Sequence, residues 1–209
     1  MKVITLNDEL FEKRSLELGD LVVKSNWKPD LIIGIKTGGA YVSRYIKKMN
    51  FFSDCNYNEI VLQRKGTEVK NKFNIKGIFK FLPYSLLNIM RIVEARHLEN
   101  NFNKDKIMHE KHYYRIICFP EDLKKQIKGS TKLLIVDDAV DSGKTMLNLK
   151  ENIIKLNPNL EIRTAALTVT FEDPLITPEY NLNNRLLIRF PWSKDYKGND
   201  KYEKKVYSS

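Results

Sequence analysis

Between Leu133 and Thr145 the chain reads Leu-Leu-Ile-Val-Asp-Asp-Ala-Val-Asp-Ser-Gly-Lys-Thr, an apolar run stopped by two carboxylates and a small-residue turn. Four consecutive apolar residues, Leu133 to Val136, are the pattern of a strand buried on both faces, as in a parallel sheet. From Thr145 onward Leu149, Ile153 and Leu156 recur at helical spacing. The turn therefore joins a strand end to a helix start. There Ser142 and Gly143 let backbone N–H groups turn toward an anion, and the helix dipole adds partial positive charge. Asp137 and Asp138 suit hydroxyls or a hard cation. Two readings stand: a site for a sugar phosphate, or a plain turn with solvated carboxylates. Crowding Asp137, Asp138 and Asp141 at a buried strand end is costly without a partner, which favours the first.

Gly143-Lys144-Thr145 also invites a nucleotide-binding P-loop, but that motif needs a glycine where Asp138 stands. A second strand, turn and helix appears at Pro29-Asp30-Leu31-Ile32-Ile33-Gly34-Ile35-Lys36-Thr37-Gly38-Gly39-Ala40, followed by Tyr41 to Ile46. Paired glycines allow close backbone approach. One such turn more often reflects packing than binding. Two on one open α/β sheet are a stronger sign, because such sheets bind ligands at the carboxyl ends of their strands.

Val136 to Thr145 is similar to the ribose-phosphate signature of type I phosphoribosyltransferases: two acidic residues, two apolar ones, then Asp-Ser/Thr-Gly-x-Thr. The resemblance implies an α/β fold with a mainly parallel twisted sheet flanked by helices, a small hood, and a homodimer. It implies that Asp137 and Asp138 engage the ribose hydroxyls of phosphoribosyl pyrophosphate (PRPP), directly or through Mg²⁺. The backbone of Asp141, Ser142, Gly143, Lys144 and Thr145, with the Ser142 and Thr145 hydroxyls, would hold the 5′-phosphate. Lys36, Thr37, Gly38 and Gly39 would form the pyrophosphate loop. Asp141 is acidic, as is typical of the family's 6-oxopurine enzymes, and becomes the candidate general base near N7 of the acceptor.

Asn184-Arg185-Leu186-Leu187-Ile188-Arg189-Phe190-Pro191-Trp192 resembles the closing segment of bacterial and archaeal xanthine/guanine phosphoribosyltransferases. Leu187 and Ile188 would then cover the base. Those enzymes usually carry a lysine before a proline after the preceding strand, to contact the 6-oxo group; here Asp173 precedes Pro174. A carboxylate prefers donors, so an amino-bearing or non-purine acceptor becomes plausible. Thr37 likewise stands where such enzymes often have a basic residue, beside Lys36, which can compensate. The implied activity is transfer of the phosphoribosyl group to a nitrogenous base of purine-like type, with pyrophosphate released. The alternative is a PRPP- or nucleotide-sensing protein whose basic insert contacts nucleic acid or a partner.

The net charge of +10 resides in the middle of the chain: residues 64–132 hold sixteen basic and seven acidic side chains, whereas the flanks are nearly balanced. A solvated face is the ordinary account of scattered lysines. In the family, the chain between the two loops includes a mobile segment that closes over PRPP and excludes water. Arg64 and Lys65, just past Ile60-Val61-Leu62-Gln63, are the candidates for charge on that closing loop. Nucleic acid would draw on the same charge, but no DNA- or RNA-binding motif accompanies it, so nucleic acid is not an expected partner.

No membrane span is expected: the richest apolar stretch, Ile78 to Met90, is broken by Lys80 and Pro83, short of the ~20 residues that cross a bilayer. Met1 to Thr5 lacks an apolar signal core, and a cytoplasmic enzyme fits. Cys55 and Cys118 are isolated and read as plain thiols. His97, His109 and His112 lack a visible third ligand.

One domain is expected over 1–209, with a basic helical insert about 64–113 and a flexible tail about 194–209. The expected order is helix Leu6–Lys24, strand Leu31–Ile35, helix Ala40–Met49 and strand Glu59–Gln63. A helix from Pro83 to Leu98 follows, burying Leu86, Met90 and Val93, then strand Tyr114–Cys118 and a linker from Pro120 to Thr131. Strand Lys132–Val136, helix Lys144–Leu156 and strands Ile162–Val169 and Leu186–Phe190 complete it.

Overall fold

Leu-Ile-Ile-Gly-Ile and Leu-Leu-Ile-Val are too apolar to leave either face in water, and both faces of both strands are covered. A computed structural model describes residues 1–62, 81–108 and 115–198. The elements are β1 (Lys2–Thr5), α1 (Asp8–Lys24), β2 (Leu31–Lys36), α2 (Gly38–Lys47), a 3₁₀ turn at Asn50–Phe52, and β3 (Asn56–Val61). Then come α3 (Tyr84–Met108), α4 (Glu121–Gly129), β4 (Lys132–Val140), α5 (Lys144–Leu156), β5 (Glu161–Val169), β6 (Tyr180–Asn184) and β7 (Leu186–Arg189).

Five strands form one sheet in the order β3-β2-β4-β5-β6, every pairing parallel. Strand side chains alternate between faces. Ile32, Leu134 and Leu167 pack with Leu18 and Val22 of α1 and Ile46 of α2. Their neighbours Leu31, Ile33 and Leu133 pack with Leu123 and Ile127 of α4 and Leu149 of α5. The α/β expectation is met. A separate parallel ribbon sets Lys2 of β1 opposite Leu186 of β7 and Thr5 opposite Arg189, and forms the hood.

Several elements differ from the sequence reading. Pro120 to Thr131 holds helix α4, with Pro120 at its N-cap, Glu121 and Asp122 in its first turn, and Leu123 and Ile127 buried four residues apart. Arg115 to Cys118 is not a strand. The Arg115 and Ile117 N–H groups donate to Asn148 Oδ1 and Asn152 Oδ1 of α5 at 2.7 and 3.0 Å, and Asn152 Nδ2 donates to the Arg115 carbonyl at 2.7 Å. Helix side chains supply the partners that a neighbouring strand would have given.

Helix α3 runs ten residues past Leu98, and the face it buries is not the expected one. Leu86, Met90 and Val93 are 42%, 44% and 60% exposed, whereas Leu87, Ala95, Glu99 and Phe102 are buried. Polar side chains decided the orientation. Arg189, with no exposed surface, donates to Asn88 Oδ1 of α3 at 2.9 Å, to Thr5 Oγ1 at 2.8 Å and to Asp195 Oδ2 at 2.8 Å. Arg91 of α3 grips the same Asp195 carboxylate through Nε at 2.8 Å and through Nη2. An unpaired buried guanidinium is costlier than an exposed apolar stripe. The tail expected to be flexible over about 194–209 is therefore tied down at its start by Asp195.

Burial opposes ionisation of Asp195, but the hydrogen bonds and charges of Arg91 and Arg189 outweigh it and hold the carboxyl down at about 2, from an ordinary 3.8. A depressed carboxyl contributes stability above its ordinary pKa and loses it as pH falls through the folded value. Asp195→Asn should therefore cost about 3 kcal/mol at pH 7, because it leaves Arg189 buried without its counter-charge. Urea unfolding from pH 7 to pH 2 should show wild-type stability dropping below pH 4, and a flatter profile for the variant over the same range.

Candidate active site

β2 and β4 are hydrogen-bonded neighbours, Gly34 standing opposite Val136. Their carboxyl ends, and the turns that follow them, therefore lie side by side. Past β2 the chain makes a cis peptide between Lys36 and Thr37 and enters α2 at Gly38. A methyl group on Gly38 would sit 2.0 Å from Asp138 Oδ2, and one on Gly39 would sit 2.4 Å from the Val136 carbonyl and 2.6 Å from Asp137 Cα. Gly39 is required by close approach to the β4 backbone, whereas Gly38 lies against the Asp138 carboxylate, a side chain that can shift. The sequence reading brought these two segments together by analogy; their backbones are in contact.

Asp137 and Asp138 are 3% and 8% exposed, and the Asp138 N–H donates to Asp137 Oδ1 at 2.9 Å. The turn from β4 into α5 follows. Asp141 is exposed, Ser142, Lys144 and Thr145 are half-buried, and Gly143 lies in the left-handed region at φ 76°. A Cβ on Gly143 would also meet the Ile176 backbone at 2.9 Å, so any other residue would be both strained and crowded. The Leu175 N–H donates to the Ser142 carbonyl at 2.9 Å and pins the turn to the chain after β5.

The Lys36 side chain, expected to supply compensating charge at its loop, is paired elsewhere, and the side chain of Lys144, of which only the backbone was assigned, packs on α3. Lys36 lies 3.3 Å from Glu59, whose carboxylate also receives Arg44 Nε at 2.6 Å and the Tyr57 hydroxyl at 2.8 Å. Burial of Glu59 is outweighed by its bonds to Arg44, Tyr57 and Lys36, which bring its pKa down to about 2. Burial, reinforced by Glu59 against the opposing Ser43 bond, pushes Tyr57 up to about 12. Lys144 lies over the Phe102 ring of α3, 5.2 Å from its centroid, and burial lowers its pKa against the pull of Asp105. Leu187 and Ile188 are both buried, but adjacent strand residues face opposite ways, and Ile188 belongs to the core around α1. Arg64, Lys65, His109 and His112 lie outside the described residues.

Three features escaped the sequence reading. Thr170, directly after β5, hydrogen-bonds through its hydroxyl to Asp141 Oδ1. Its place at a strand's carboxyl end was the available signal. Glu99 of α3, 7% exposed, accepts hydrogen bonds from the Glu172 N–H at 2.7 Å and from Arg185 Nη1. Lys106 of α3 reaches Asp173 Oδ2 at 2.6 Å, so a lysine does stand beside the position where the sequence shows aspartate. None of these contacts has a local spacing that would announce it.

A family model described as the phosphoribosyl transferase domain matches residues 6–174. No curated protein matches by sequence. Among solved structures, the purine phosphoribosyltransferase from Pyrococcus horikoshii Ot3 is similar at TM-score 0.55 and 20% identity, over 92% of this chain and 95% of that one. Helicobacter pylori xanthine-guanine-hypoxanthine phosphoribosyltransferase follows at 0.53 and 16%, over 91% and 93%. A hypothetical protein from Neisseria gonorrhoeae with bound ppGpp gives 0.53 and 15%, over 92% and 90%. At these identities the likeness is one of fold.

The two glycines separate packing from site geometry. Gly39→Ala should lose about 2–3 kcal/mol in urea unfolding, because the new methyl meets backbone that cannot move alone. Gly38→Ala should lose about 1 kcal/mol or less, since the displaced group is a side-chain carboxylate and the unfolded chain is stiffened.

Proposed function

The chain belongs to the phosphoribosyl transferase domain family, and from that premise we propose that it transfers the 5-phosphoribosyl group of PRPP to a nitrogenous base, purine-like, with release of pyrophosphate. The observation that carries this reading is the contact of Gly38 and Gly39 with Asp137 and Asp138 at the ends of two paired strands. On this reading Asp137 and Asp138 take the ribose hydroxyls, and the turn from Asp141 to Thr145 takes the 5′-phosphate. The backbone of Lys36 to Gly39 takes the pyrophosphate, and Leu187 lies against the base, backed by Ile188.

In the reaction a base nitrogen forms a bond to the anomeric carbon while the bond from that carbon to pyrophosphate oxygen breaks. The electron pair leaves with pyrophosphate, and the proton on the attacking base is taken up by the Asp141 carboxylate. Holding both reactants in line contributes much of the acceleration.

The adjacent, largely buried carboxylates of Asp137 and Asp138 fit Mg²⁺, which is bound by one or two carboxylates together with substrate phosphates. Asp137 and Asp138 are the residues to hold it, directly or through water. When bound, the ion would neutralise charge on the departing pyrophosphate. No helix among the described residues is long and apolar enough to cross a membrane.

A second reading, a nucleotide-sensing protein, is favoured by the ppGpp held in the Neisseria gonorrhoeae structure of similar fold. Incubation with PRPP, Mg²⁺ and a panel of guanine, hypoxanthine, xanthine and adenine separates the two. Transfer predicts pyrophosphate and nucleotide in equal amounts, and sensing predicts ligand binding without turnover. Asp138→Asn should weaken Mg²⁺-dependent PRPP binding by roughly 10- to 100-fold in calorimetry, the worth of one charged hydrogen bond.

A further inference from the structure

Asp141 is exposed and extends from a turn, yet a base that removes a proton must present its oxygen in a fixed direction. One oxygen, Oδ1, is held by the Thr170 hydroxyl. The other oxygen, Oδ2, makes no hydrogen bond or ion pair among the described residues. A carboxylate with one oxygen anchored and one open is aimed rather than merely present.

Thr170 is itself fixed on every side. It is 3% exposed, its N–H donates to the Val140 carbonyl at 2.8 Å, and its own carbonyl accepts from Arg185 Nη1 at 3.1 Å. Arg185 stands at a left-handed φ of 59°, and its N–H donates to the Val169 carbonyl at 2.8 Å. The same Nη1 donates to Glu99 Oε1, and this buried oxygen also accepts the Glu172 N–H at 2.7 Å. Glu99 thus clamps residues on both sides of Phe171, whose ring packs on Phe102 of α3 at 5.6 Å. From α3 to Asp141 the path is continuous: Glu99, Arg185, Thr170, Asp141.

We propose that Thr170 is a positioning residue for the transfer, orienting the Asp141 carboxylate toward the acceptor, and that helix α3 holds Thr170 in place through Glu99 and Arg185. The proposal rests on the assignment of Asp141 as the base. It gives the helical insert a share in catalysis without contact with either substrate. Thr170 fits the part because its hydroxyl meets Asp141 Oδ1 more closely than its other acceptor, the Val140 carbonyl at 3.3 Å, and valine fills the same volume without that hydroxyl.

The test compares Thr170→Val, Thr170→Ser and Glu99→Gln with the unmodified protein, using PRPP, Mg²⁺ and the fastest base of the panel above. Thr170→Val should lower kcat about tenfold, a fraction of what a general base contributes, while the PRPP Kd from calorimetry stays unchanged. Thr170→Ser should return kcat to near the unmodified value. Glu99→Gln should lower kcat in the same sense by a smaller factor, again with PRPP affinity intact. If the valine variant fails to fold, Thr170→Ala against Thr170→Ser gives the same comparison. An active unmodified protein whose kcat is untouched by loss of the hydroxyl overturns the proposal alone, as does a serine variant no better than valine. An unchanged kcat in Glu99→Gln overturns the part assigned to α3. No turnover by the unmodified protein with any base overturns the assignment of Asp141 and the proposal with it.

Discussion

The parallel pairing of β2 with β4 governs the rest of the molecule. With Gly34 opposite Val136, the two chains leave the sheet at the same level, and whatever follows each must share one small volume. On one side that volume receives a pair of largely buried carboxylates; on the other it receives two glycines that come within contact distance of them. A strand inserted between them would move the turns about 5 Å further apart and break the site. The packing that buries the apolar runs and the geometry that gathers the polar ends are therefore one constraint.

The second constraint is ionic and belongs to α3. This helix is joined to the hood by Asn88 and Arg91, which share Arg189 and Asp195 with β7 and the tail. Further along, it is joined to the chain after β5 by Glu99, Phe102 and Lys106. Buried ionic groups of this kind add little net stability compared with a well-packed apolar core, but they penalise every orientation except the one that pairs them. The outcome is a helix set in register by its polar side chains, with Leu86, Ile89, Met90 and Val93 left on its outer face.

The limits of the sequence reading follow from the same physics. Buried parallel strands were legible because desolvation on both faces demands uninterrupted apolar residues, as in Leu31 to Ile35 and Leu133 to Val136. Helix α5 was legible to the residue, having a turn before it, an apolar stripe within it and Asn157-Pro158 after it. Short elements that exist only because partners hold them were not: β1 and β6 gain their identity from β7 and β5. Helix α4 did carry signals, Pro120 and the Leu123–Ile127 spacing, which a charged composition masked. The face of α3 was misassigned because apolar periodicity alone cannot register that Arg189 is buried and needs Asn88 and Asp195. At the site, the acidic pair and both turns were legible as motifs. Thr170, Glu99 and Arg185 were not, since their contacts span 15 to 86 positions of sequence.

The central claim is that PRPP is held where the turns after β2 and β4 meet. Hydrogen–deuterium exchange with and without PRPP and Mg²⁺ tests it directly, because backbone N–H groups that cradle phosphate exchange more slowly when engaged. The account predicts protection concentrated at residues 36–39 and 137–145. Protection absent from both turns, or confined to the outer face of α3, would contradict it.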